Sequence, residues 1–416
     1  MDFELDPMLK GVQGAINAFA KFQMRPNSRK YDELQQMPWP VMKQAAKMGM
    51  SMSGSMGKGG GLGSVDTGEK KEGGDKPKNP LAANQNLMSV VGGEELAWGC
   101  AGIALALAGS GLAATPVSQM GTPEQKKVFF DAMDGETEEG HPQVAAMGIT
   151  EPNAGSDISS IKTTAVKDGD YYVLNGTKRF ITNGYSANVF VIWATLDPSL
   201  GREAYRSFII TRGTPGLIPG KKEDKLGIRA SETAEVYMED CRVHKDMMMG
   251  DSLEAAAEKK AAAGFSGAKA MFDSTRPMVG SMGVGIGRSA YDFAVEWCQN
   301  HKRGGKYLYE DPIVRHRLAA VKARLDAARY LVWKAAWMAD RKLGNVKEAS
   351  MSKAYGAQAG YQACSEAVDI CGPEALSREF LLEKMFRDIK IFDIFEGTGQ
   401  IQRRIVAREL TGLKAQ

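Results

Sequence analysis

The chain has 416 residues, 43% of them hydrophobic, and this length suggests about three domains with enough apolar surface to bury a substantial core. Its 53 Lys and Arg residues nearly balance its 50 Asp and Glu residues, and a net charge of +3 excludes the strongly basic surface that binds nucleic acid. Five cysteines without a CxxC pair and four histidines without ligand spacing argue against a disulfide scaffold and against a metal site.

Further features of the sequence predict a cytoplasmic protein with no membrane span. No segment reaches the roughly 18 uninterrupted apolar residues of a transmembrane helix. The N-terminus, MDFELDPMLKGVQG, begins acidic and becomes amphipathic, which is unlike a secretory signal. Single, scattered cysteines also fit a reducing compartment.

Residues 1–143 are rich in Ala, Met and Gln and predict an N-terminal helical domain. Within it, residues 91–114 are small and apolar almost throughout, which predicts one buried helix despite the glycines. Residues 53–80 are polar, charged and rich in glycine, so they cannot bury much apolar surface. We interpret this stretch as an insertion at the surface.

Residues 144–250 change to a period of two, which is typical of strands. Turn signals at Asp168-Gly169 and Asn175-Gly176 separate short runs of β-branched and aromatic residues. The predicted strands cover 171–174, 189–194, 207–211 and 234–238. This pattern predicts a middle antiparallel β domain.

Residues 251–416 return to a helical period. An apolar stripe at three- and four-residue steps marks one long helix, and it consists of Val314, Leu318, Val321, Leu325, Ala328 and Leu331. Further helices are predicted at 348–371, 378–390 and near 399–412. Helices, then a small β domain, then a helical bundle give an α+β architecture that is mostly α.

Five segments of the chain carry a resemblance to a known family. In chain order they are MGITEPNAGSD (147–157), NGTKRFITNGYSAN (175–188), KLGIRASETAEVYMED (225–240), MFDSTRPMVGSMGVGIG (271–287) and MFRDIKIFDIFEGTGQIQRRIVARE (385–409). Their order and spacing resemble the acyl-CoA dehydrogenase family from about residue 94 to residue 410. The resemblance implies an N-terminal helical domain, a middle β domain and a C-terminal four-helix bundle, assembled as a homotetramer with FAD between the domains.

The same resemblance implies α,β-dehydrogenation of an acyl-CoA thioester to the 2-enoyl-CoA, with electrons passed to an electron-transfer flavoprotein. It makes Glu396, in IFEGTGQIQ, the base that removes the α-proton while the β-hydrogen leaves as hydride to the flavin. A carboxylate in an apolar pocket has its pKa raised toward the range of a general base. The family donors to the thioester carbonyl are the Glu396 backbone N–H and a ribityl hydroxyl of FAD. A lone Glu before Gly is more often a surface turn, but the accompanying Gln400, Gln402 and Arg403 favour the catalytic interpretation.

The flavin site is expected to draw on the β domain and on the last helix. By resemblance, its residues from the β domain are Met147, Ile149, Thr150, Ser156, Phe180 and Thr182. Thr398 and Gln400 are expected to approach the flavin nucleotide from the helical side. A hydroxyl near the reactive flavin nitrogen would stabilise the reduced cofactor. The alternatives are that Phe180 is ordinary core and that Thr150 is a turn residue.

The segment FDSTRP is expected to begin a helix, capped by Asp273 or Ser274, with Pro277 in the first turn. By resemblance Phe272, Asp273 and Arg276 lie at the entrance for the CoA pantetheine and adenine. The alternative for Arg276 is a surface ion pair. Further substrate contacts are expected from Ser156, Ser231 and Gly397.

The chain departs from the family where FAD reaches a neighbouring subunit. The family usually has Arg-x-x-Phe-Gly-Lys there, whereas residues 301–306 read HKRGGK, and the usual downstream glutamine is Pro312. The family segment Gln-x-x-Gly-Gly reads DICGP at 369–373, which keeps only Gly372. Arg303 or Lys302 can replace the missing charge on the FAD pyrophosphate, since either side chain can reach a phosphate. The alternative is that the ADP half of FAD binds differently or weakly.

These departures leave alternatives open. The chain could be a subunit of a heteromeric dehydrogenase with little activity alone, although a retained Glu396 argues against that. The same flavin site could also serve an oxidase or an enoyl-CoA reductase. If the small residues of 101–114 line the acyl pocket, with Ala104 and Gly109 facing it, they favour a medium, branched or ring-bearing acyl chain.

Overall fold

The computed structural model of the protein describes residues 4–49, 83–253 and 266–413, and the side chains of residues 266–274 are outside this set. The Gly-rich stretch predicted as an insertion at 53–80 therefore lies outside the described residues. So do the side chains of Phe272 and Asp273, whose contact with CoA stays a prediction.

Six α-helices form the described N-terminal part of the chain. They are α1 (Pro7–Phe19), α2 (Ser28–Leu34), α3 (Trp39–Lys47), α4 (Gln85–Ala108), α5 (Gly111–Met120) and α6 (Pro123–Met133). Local sequence fixes where α6 begins, because Thr122 and Gln125 exchange side-chain and backbone hydrogen bonds in a capping box. The predicted helical domain is confirmed.

The single helix predicted at 91–114 is two helices, and the first of them is bent. Cys100, inside α4, has the extended backbone angles φ −167° and ψ 116°. The bend lies between Gly99 and Gly102, two residues of low helix propensity. Gly99 also allows close packing, since a Cβ atom there would lie 2.8 Å from the Cβ of Ala20. Two of the glycines that the prediction placed inside one helix therefore flank its bend.

An eight-stranded sheet forms the middle of the chain. Its strands are β1 (Ala145–Gly148), β2 (Thr164–Asp168), β3 (Tyr171–Thr182), β4 (Val189–Thr195), β5 (Tyr205–Thr211), β6 (Leu217–Lys222), β7 (Thr233–His244) and β8 (Met248–Met249). They lie in the order β6-β7-β3-β2-β4-β5-β8, with β1 beside β4. β4 is buried along its whole length, which explains its uninterrupted apolar sequence.

The predicted antiparallel arrangement is right for most strand pairs but not for all. Each of the four predicted strands is present and extends beyond its predicted bounds. However, β1 pairs in parallel with β4, and β2 makes a parallel bridge to β4, so the sheet is mixed. The sequence of β1, AAMG, has no period of two, and this strand was therefore not predicted.

The C-terminal part begins with the long helix α7 and ends with four further helices. In chain order the elements are α7 (Ser266–Asn300), β9 (Lys302–Arg303), β10 (Lys306–Tyr307), α8 (Pro312–Asp340), α9 (Val346–Cys371), α10 (Leu382–Ile389) and α11 (Gly399–Thr411). The long helices pack side by side, and α11 lies against α9. Small residues bring α7 and α9 close, since a Cβ on Gly356 would lie 2.5 Å from the carbonyl oxygen of Gly280. The predicted bundle is confirmed.

The segment FDSTRP does not begin a helix, contrary to the prediction. α7 already begins at Ser266, and Pro277 lies in its interior. The proline removes one backbone donor from the helical hydrogen bonds. Burial of Val279 and Met282 in the core just beyond it helps to offset that loss.

Hydrogen bonds of charged side chains fix the β domain against the helices. Arg387 on α10 donates to Asp32 on α2 at 2.7 Å and to the backbone carbonyl of Leu226 at 2.9 Å. Next to it, Asp388 accepts the backbone N–H of Ile228 at 2.6 Å. The loop between β6 and β7 is thereby held against α10, and a crevice remains where helices from both ends of the chain meet the sheet.

Of the described helices, α4 alone is long and apolar enough to cross a membrane, and 89% of its most apolar 18-residue window is buried inside the protein. Such burial is typical of a core helix. In the described ranges, no cluster of three His, Cys, Asp or Glu side chains could hold a metal ion. All five cysteines are buried free thiols.

Candidate active site

A large cavity lies where α4, α5, the sheet and the C-terminal helices meet, with a volume of about 600 Å³ and a mainly apolar wall. Nine residues singled out from the sequence line it together: Met147, Ile149, Thr150, Ser156, Phe180, Thr182, Arg276, Glu396 and Gly397. Ser231 lines it as well. A mainly apolar cavity with a few converging polar groups is typical of a small-molecule site.

Glu396 presents its carboxylate to this cavity. Its φ of 52° is uncommon for a residue other than glycine. Its Oε2 atom is buried and has no hydrogen-bond partner among the described residues, while the Thr275 hydroxyl donates to the carboxylate. Burial raises the pKa of Glu396, and Thr275, Lys353 and Arg276 partly oppose that rise. A carboxyl group with these properties suits a general base.

Two completely buried side chains hold the turn that carries Glu396. Gln402 donates from Nε2 to the backbone carbonyls of Glu396 at 3.2 Å and Gly397 at 3.1 Å. Lys353, on α9, donates from Nζ to the Gly397 carbonyl at 2.7 Å. Gly397 has a φ of 89°, and a Cβ atom there would lie 2.5 Å from Gln402 Nε2. Glycine is therefore required at 397.

Thr398 ends this turn and caps α11, because its hydroxyl accepts the backbone N–H of Ile401 at 3.3 Å. We expect Thr398→Val, which keeps the shape and removes the acceptor, to lower the free energy of unfolding by about 1 kcal/mol. Thr398→Ser keeps the acceptor and serves as the control, with stability close to wild type. Urea unfolding of the three proteins measures the difference, and equal stability of the Val variant and wild type would contradict the cap.

Another wall of the cavity comes from the ends of two strands. β1 leads into Ile149 and Thr150, and β3 ends with Phe180 and Thr182. The backbone N–H of Arg179 donates to the Thr150 carbonyl at 2.9 Å and joins the two segments. The main chain of this wall is therefore fixed by the sheet rather than by a free loop.

Phe180 is 59% exposed, so the alternative that it is ordinary core is wrong. The guanidinium of Arg179 lies 5.1 Å from the centre of its ring. Phe180, Ile228 and Glu396 all line the cavity with positive φ values, of 59°, 49° and 52°. For the β-branched Ile228 this is a genuine outlier. Backbone strain of this kind tends to cluster at functional sites.

A buried ion pair supports the segment that carries Ile149 and Thr150. Lys178 is completely buried and donates from Nζ to Glu151 at 2.7 Å and to the Ile149 carbonyl at 3.3 Å. Glu151 also accepts the backbone N–H of Thr163 at 2.9 Å. Burial lowers the pKa of Lys178 to about 8, although the charge of Glu151 opposes this. The pair ties the residues after β1 to β3.

Three family models match consecutive parts of the chain. They describe the N-terminal, middle and C-terminal domains of acyl-CoA dehydrogenases and match residues 8–134, 146–241 and 262–411. The probable acyl-CoA dehydrogenase YngJ of Bacillus subtilis is 31% identical over 99% of this chain and 100% of its own length. The human mitochondrial short-chain specific acyl-CoA dehydrogenase is 33% identical over 89% of this chain and 86% of its own length. The chain belongs to the acyl-CoA dehydrogenase family.

Solved structures agree with this assignment. Butyryl-CoA dehydrogenase from Megasphaera elsdenii is 31% identical, with a TM-score of 0.84 over 99% of this chain and 100% of its own. A chain in a structure of the electron-transferring flavoprotein of Acidaminococcus fermentans is 29% identical, with a TM-score of 0.83 over 99% and 100%. The prolyl acyl carrier protein oxidase AnaB is 28% identical, with a TM-score of 0.81 over 98% and 100%. The predicted family and fold are confirmed, and the chain is an oxidoreductase of the acyl-CoA dehydrogenase class.

FAD is the cofactor of the acyl-CoA dehydrogenase family, and the cavity fits it. The strand ends at Ile149–Thr150 and Phe180–Thr182 offer backbone groups, a hydroxyl and an aromatic ring to one wall. The buried Oε2 of Glu396, which has no partner among the described residues, leaves one polar atom for a second ligand beside the cofactor ring. An apolar wall with a few fixed polar groups suits a flat, largely aromatic cofactor ring.

The remaining predicted FAD contacts do not line this cavity. Arg303 is exposed in the β9–β10 hairpin and donates to the carbonyl of Ile370 at 3.2 Å, beside Gly372. Thr398 caps α11, and Gln400 is exposed in its first turn. Arg303 and Gly372 are thus neighbours. Two residues that bind one phosphate would have to be neighbours, but the role of this pair in FAD binding stays a prediction.

The residues that support or line the cavity and that the sequence analysis did not single out are mostly buried and charged. Glu151 and Lys178 stand inside the quoted segments MGITEPNAGSD and NGTKRFITN, where a lysine in an otherwise half-apolar strand was a usable signal. The buried residues of α9 around Lys353 are Ala, Ser and Gly. A lysine in such a run was a usable sign of a buried charge. No pattern in the sequence marked Ile228, because its role depends on its backbone conformation.

Proposed function

We propose that this protein is an FAD-dependent acyl-CoA dehydrogenase that converts an acyl-CoA thioester to the 2-enoyl-CoA, with Glu396 as the base. The observation that carries the proposal is the buried Glu396 carboxylate, whose pKa burial raises, on a fixed turn inside a cavity lined by the predicted flavin and substrate residues. A surface-turn carboxylate would have neither the burial nor the two buried donors behind its turn. Oxidation of an acyl-CoA to a product lacking two hydrogens, dependent on added FAD and detected by mass spectrometry, tests it.

In this proposal Glu396 takes the α-proton of the bound thioester on its carboxylate. The apolar wall excludes water and raises the basicity of the carboxylate. By family resemblance, the backbone N–H of Glu396 donates to the thioester carbonyl and stabilises the charge that develops there. Gln402 and Lys353 fix the turn, so the carboxylate and the backbone N–H of Glu396 keep a constant relative position. Groups that are already in position lower the activation barrier because they need not move during the reaction.

FAD would be held by the wall that comes from β1 and β3. Backbone groups of Met147, Ile149 and Thr150 would face the ring, Thr182 would donate to it and Phe180 would pack beside it. When bound, FAD supplies the acceptor for the β-hydrogen as hydride. Arg276 and Ser156 line the cavity at positions suited to CoA, and the burial of Arg276 argues against a surface ion pair.

The acyl group is proposed to be medium, branched or ring-bearing, and of the two residues expected to face its pocket only Gly109 lines the cavity. Ala104 is completely buried in the core and does not line the cavity. Gly109 lines it, yet a Cβ there would lie 2.9 Å from side-chain atoms of Thr182 and Asn183, so a larger residue would disturb the flavin wall. Ala108 lines the cavity between them and is the better test of pocket size.

We expect Ala108→Leu to narrow the acyl pocket. The value of kcat/KM should fall about tenfold or more for long or branched acyl-CoAs, because a few methylenes in an apolar pocket change binding by roughly 1–3 kcal/mol. Short acyl-CoAs serve as the internal control and should change little. Equal loss for short and bulky substrates would show that Ala108 does not bound the acyl pocket.

Electron-transfer flavoprotein is the proposed acceptor. Similarity to a chain in the Acidaminococcus electron-transferring flavoprotein structure supports this partner, whereas similarity to AnaB supports an oxidase as the second candidate. Turnover of an excess of acyl-CoA is measured once with electron-transfer flavoprotein as the acceptor and once with oxygen alone. The comparison distinguishes a dehydrogenase from an oxidase. Turnover that needs only oxygen would favour the oxidase.

A homotetramer in the cytoplasm completes the proposal. The exposed Arg303 beside Gly372 suits a site completed by a neighbouring subunit, and five buried free thiols fit a reducing compartment. Light scattering of the protein purified alone, with its FAD content, tests the assembly. A colourless monomer that gains FAD only with a related chain would favour the heteromeric alternative.

A further inference from the structure

Lys353 is the only lysine of α9 whose side chain is completely buried, and it lies directly behind the turn that presents Glu396. Its neighbours on that helix face, including Ser352 and Gly356, are small and buried. A long cationic side chain in such a place costs free energy unless it meets opposite charge or a strong acceptor. Its Nζ meets the Gly397 carbonyl at 2.7 Å, one residue beyond Glu396.

The charges around this amine come from several elements. Burial lowers the pKa of Lys353 to about 8, and the carboxylates of Asp393 and Glu396 oppose that change. Arg276 on α7 and Arg403 on α11 lower it further. At neutral pH the amine is therefore mostly protonated, and its charge acts on Glu396 together with that of Arg276.

We propose that Lys353 is a positioning residue for Glu396, whose ammonium group fixes the turn through the Gly397 carbonyl and whose positive charge favours the ionised form of the Glu396 carboxylate before the α-proton is taken. This inference rests on the proposed function for its catalytic consequence, but its electrostatic part concerns residues of the chain itself. Burial favours the protonated form of Glu396, and a protonated carboxyl group cannot act as a base.

Gln402 provides a matched comparison within the same turn. It donates to the same Gly397 carbonyl and is equally buried, but it carries no charge. Gln402→Leu removes a neutral support of the turn, Lys353→Met removes a charged one, and Lys353→Gln removes the charge while it keeps an amide donor. The variants therefore separate the charge of Lys353 from its hydrogen bond.

The test is an infrared titration of the FAD-loaded protein without substrate. The protonated carboxyl band of Glu396 is assigned by its absence in Glu396→Gln and followed against pH. In Lys353→Met and Lys353→Gln we expect the band to persist to a pH about one unit higher, since an opposite charge nearby shifts a carboxyl pKa by roughly one unit or more. In Gln402→Leu the titration should stay at the wild-type pH.

The pH dependence of flavin reduction by acyl-CoA gives the second readout. The acid limb should move by the same amount in both Lys353 variants, about a tenfold loss of rate at a fixed pH on that limb. Gln402→Leu should lower the plateau rate without moving the limb. If no acyl-CoA reduces even the wild type, the proposed function fails, while the infrared titration still decides the role of Lys353.

Three results would overturn the inference. An unmoved titration in both Lys353 variants would make Lys353 an ordinary support of the turn. An equal shift in Gln402→Leu would show that the titration follows turn geometry and not the charge. Loss of folding in both Lys353→Met and Lys353→Gln, seen as loss of cooperative melting, would make the residue a structural anchor.

Discussion

Replacing Glu396 by Gln is expected to lower the rate of flavin reduction by acyl-CoA by about 10²–10⁴-fold, the usual contribution of a positioned general base. The amide is nearly isosteric, so the Thr275 contact and the turn can persist while the proton acceptor is lost. FAD binding should not change, because the predicted flavin contacts come from other residues. Rapid mixing under anaerobic conditions measures the rate from the loss of flavin absorbance.

Glu374→Gln is the matched control, since Glu374 is an exposed carboxylate outside the cavity, and it should keep the wild-type rate. The wild-type rate should rise with pH through the pKa of Glu396, which burial raises above that of an ordinary glutamate. The base is active when ionised, so activity is lost as pH falls below that pKa. Wild-type activity in Glu396→Gln would move the base to another residue.

Lys178→Met is expected to lower the free energy of unfolding by about 3–5 kcal/mol, because it leaves the carboxylate of Glu151 buried without its partner. Glu151 is only 7% exposed, and Lys178 is completely buried, so water cannot replace the lost contact cheaply. The loss also frees the Ile149 carbonyl, which lies in the predicted flavin wall. We therefore expect weaker retention of FAD as well as lower stability.

The double variant Glu151→Gln/Lys178→Met is the control for this buried pair. It removes both charges, and neutral replacement of a buried ion pair often restores much of the stability that a single substitution loses. Urea unfolding of the wild type, the single variant and the double variant measures the coupling. Additive losses in the double variant, or an unchanged single variant, would contradict the role assigned to the pair.

The sequence predicted the fold and most of the cavity wall because both depend on local signals. The strand at 189–194 was predicted from its β-branched and aromatic residues, and it is buried along its whole length. Glu396, Thr182 and Ile149 were predicted by resemblance from continuous segments. The structure then brought these segments, far apart in the chain, to one cavity.

The errors have a common physical origin, since each concerns backbone geometry or long-range packing. Cys100 has an extended backbone although its neighbours in the chain are helical. Pro277 lies inside a helix although proline disfavours that position. Ala104 was expected in the pocket but is buried in the core, whereas Leu105 and Ala108 of the same helix line the cavity. Lys353 was missed because its partner, the Gly397 carbonyl, is 44 residues away in the chain.

Whether this protein dehydrogenates acyl-CoAs can be measured from the anaerobic absorbance of FAD-loaded wild-type protein during titration with a panel of short, medium, branched and ring-bearing acyl-CoAs. We expect at least one of them to bleach the flavin in proportion to the acyl-CoA added, with formation of the matching 2-enoyl-CoA. A protein that is fully loaded with FAD and reduced by dithionite, but by no acyl-CoA of the panel, would contradict it.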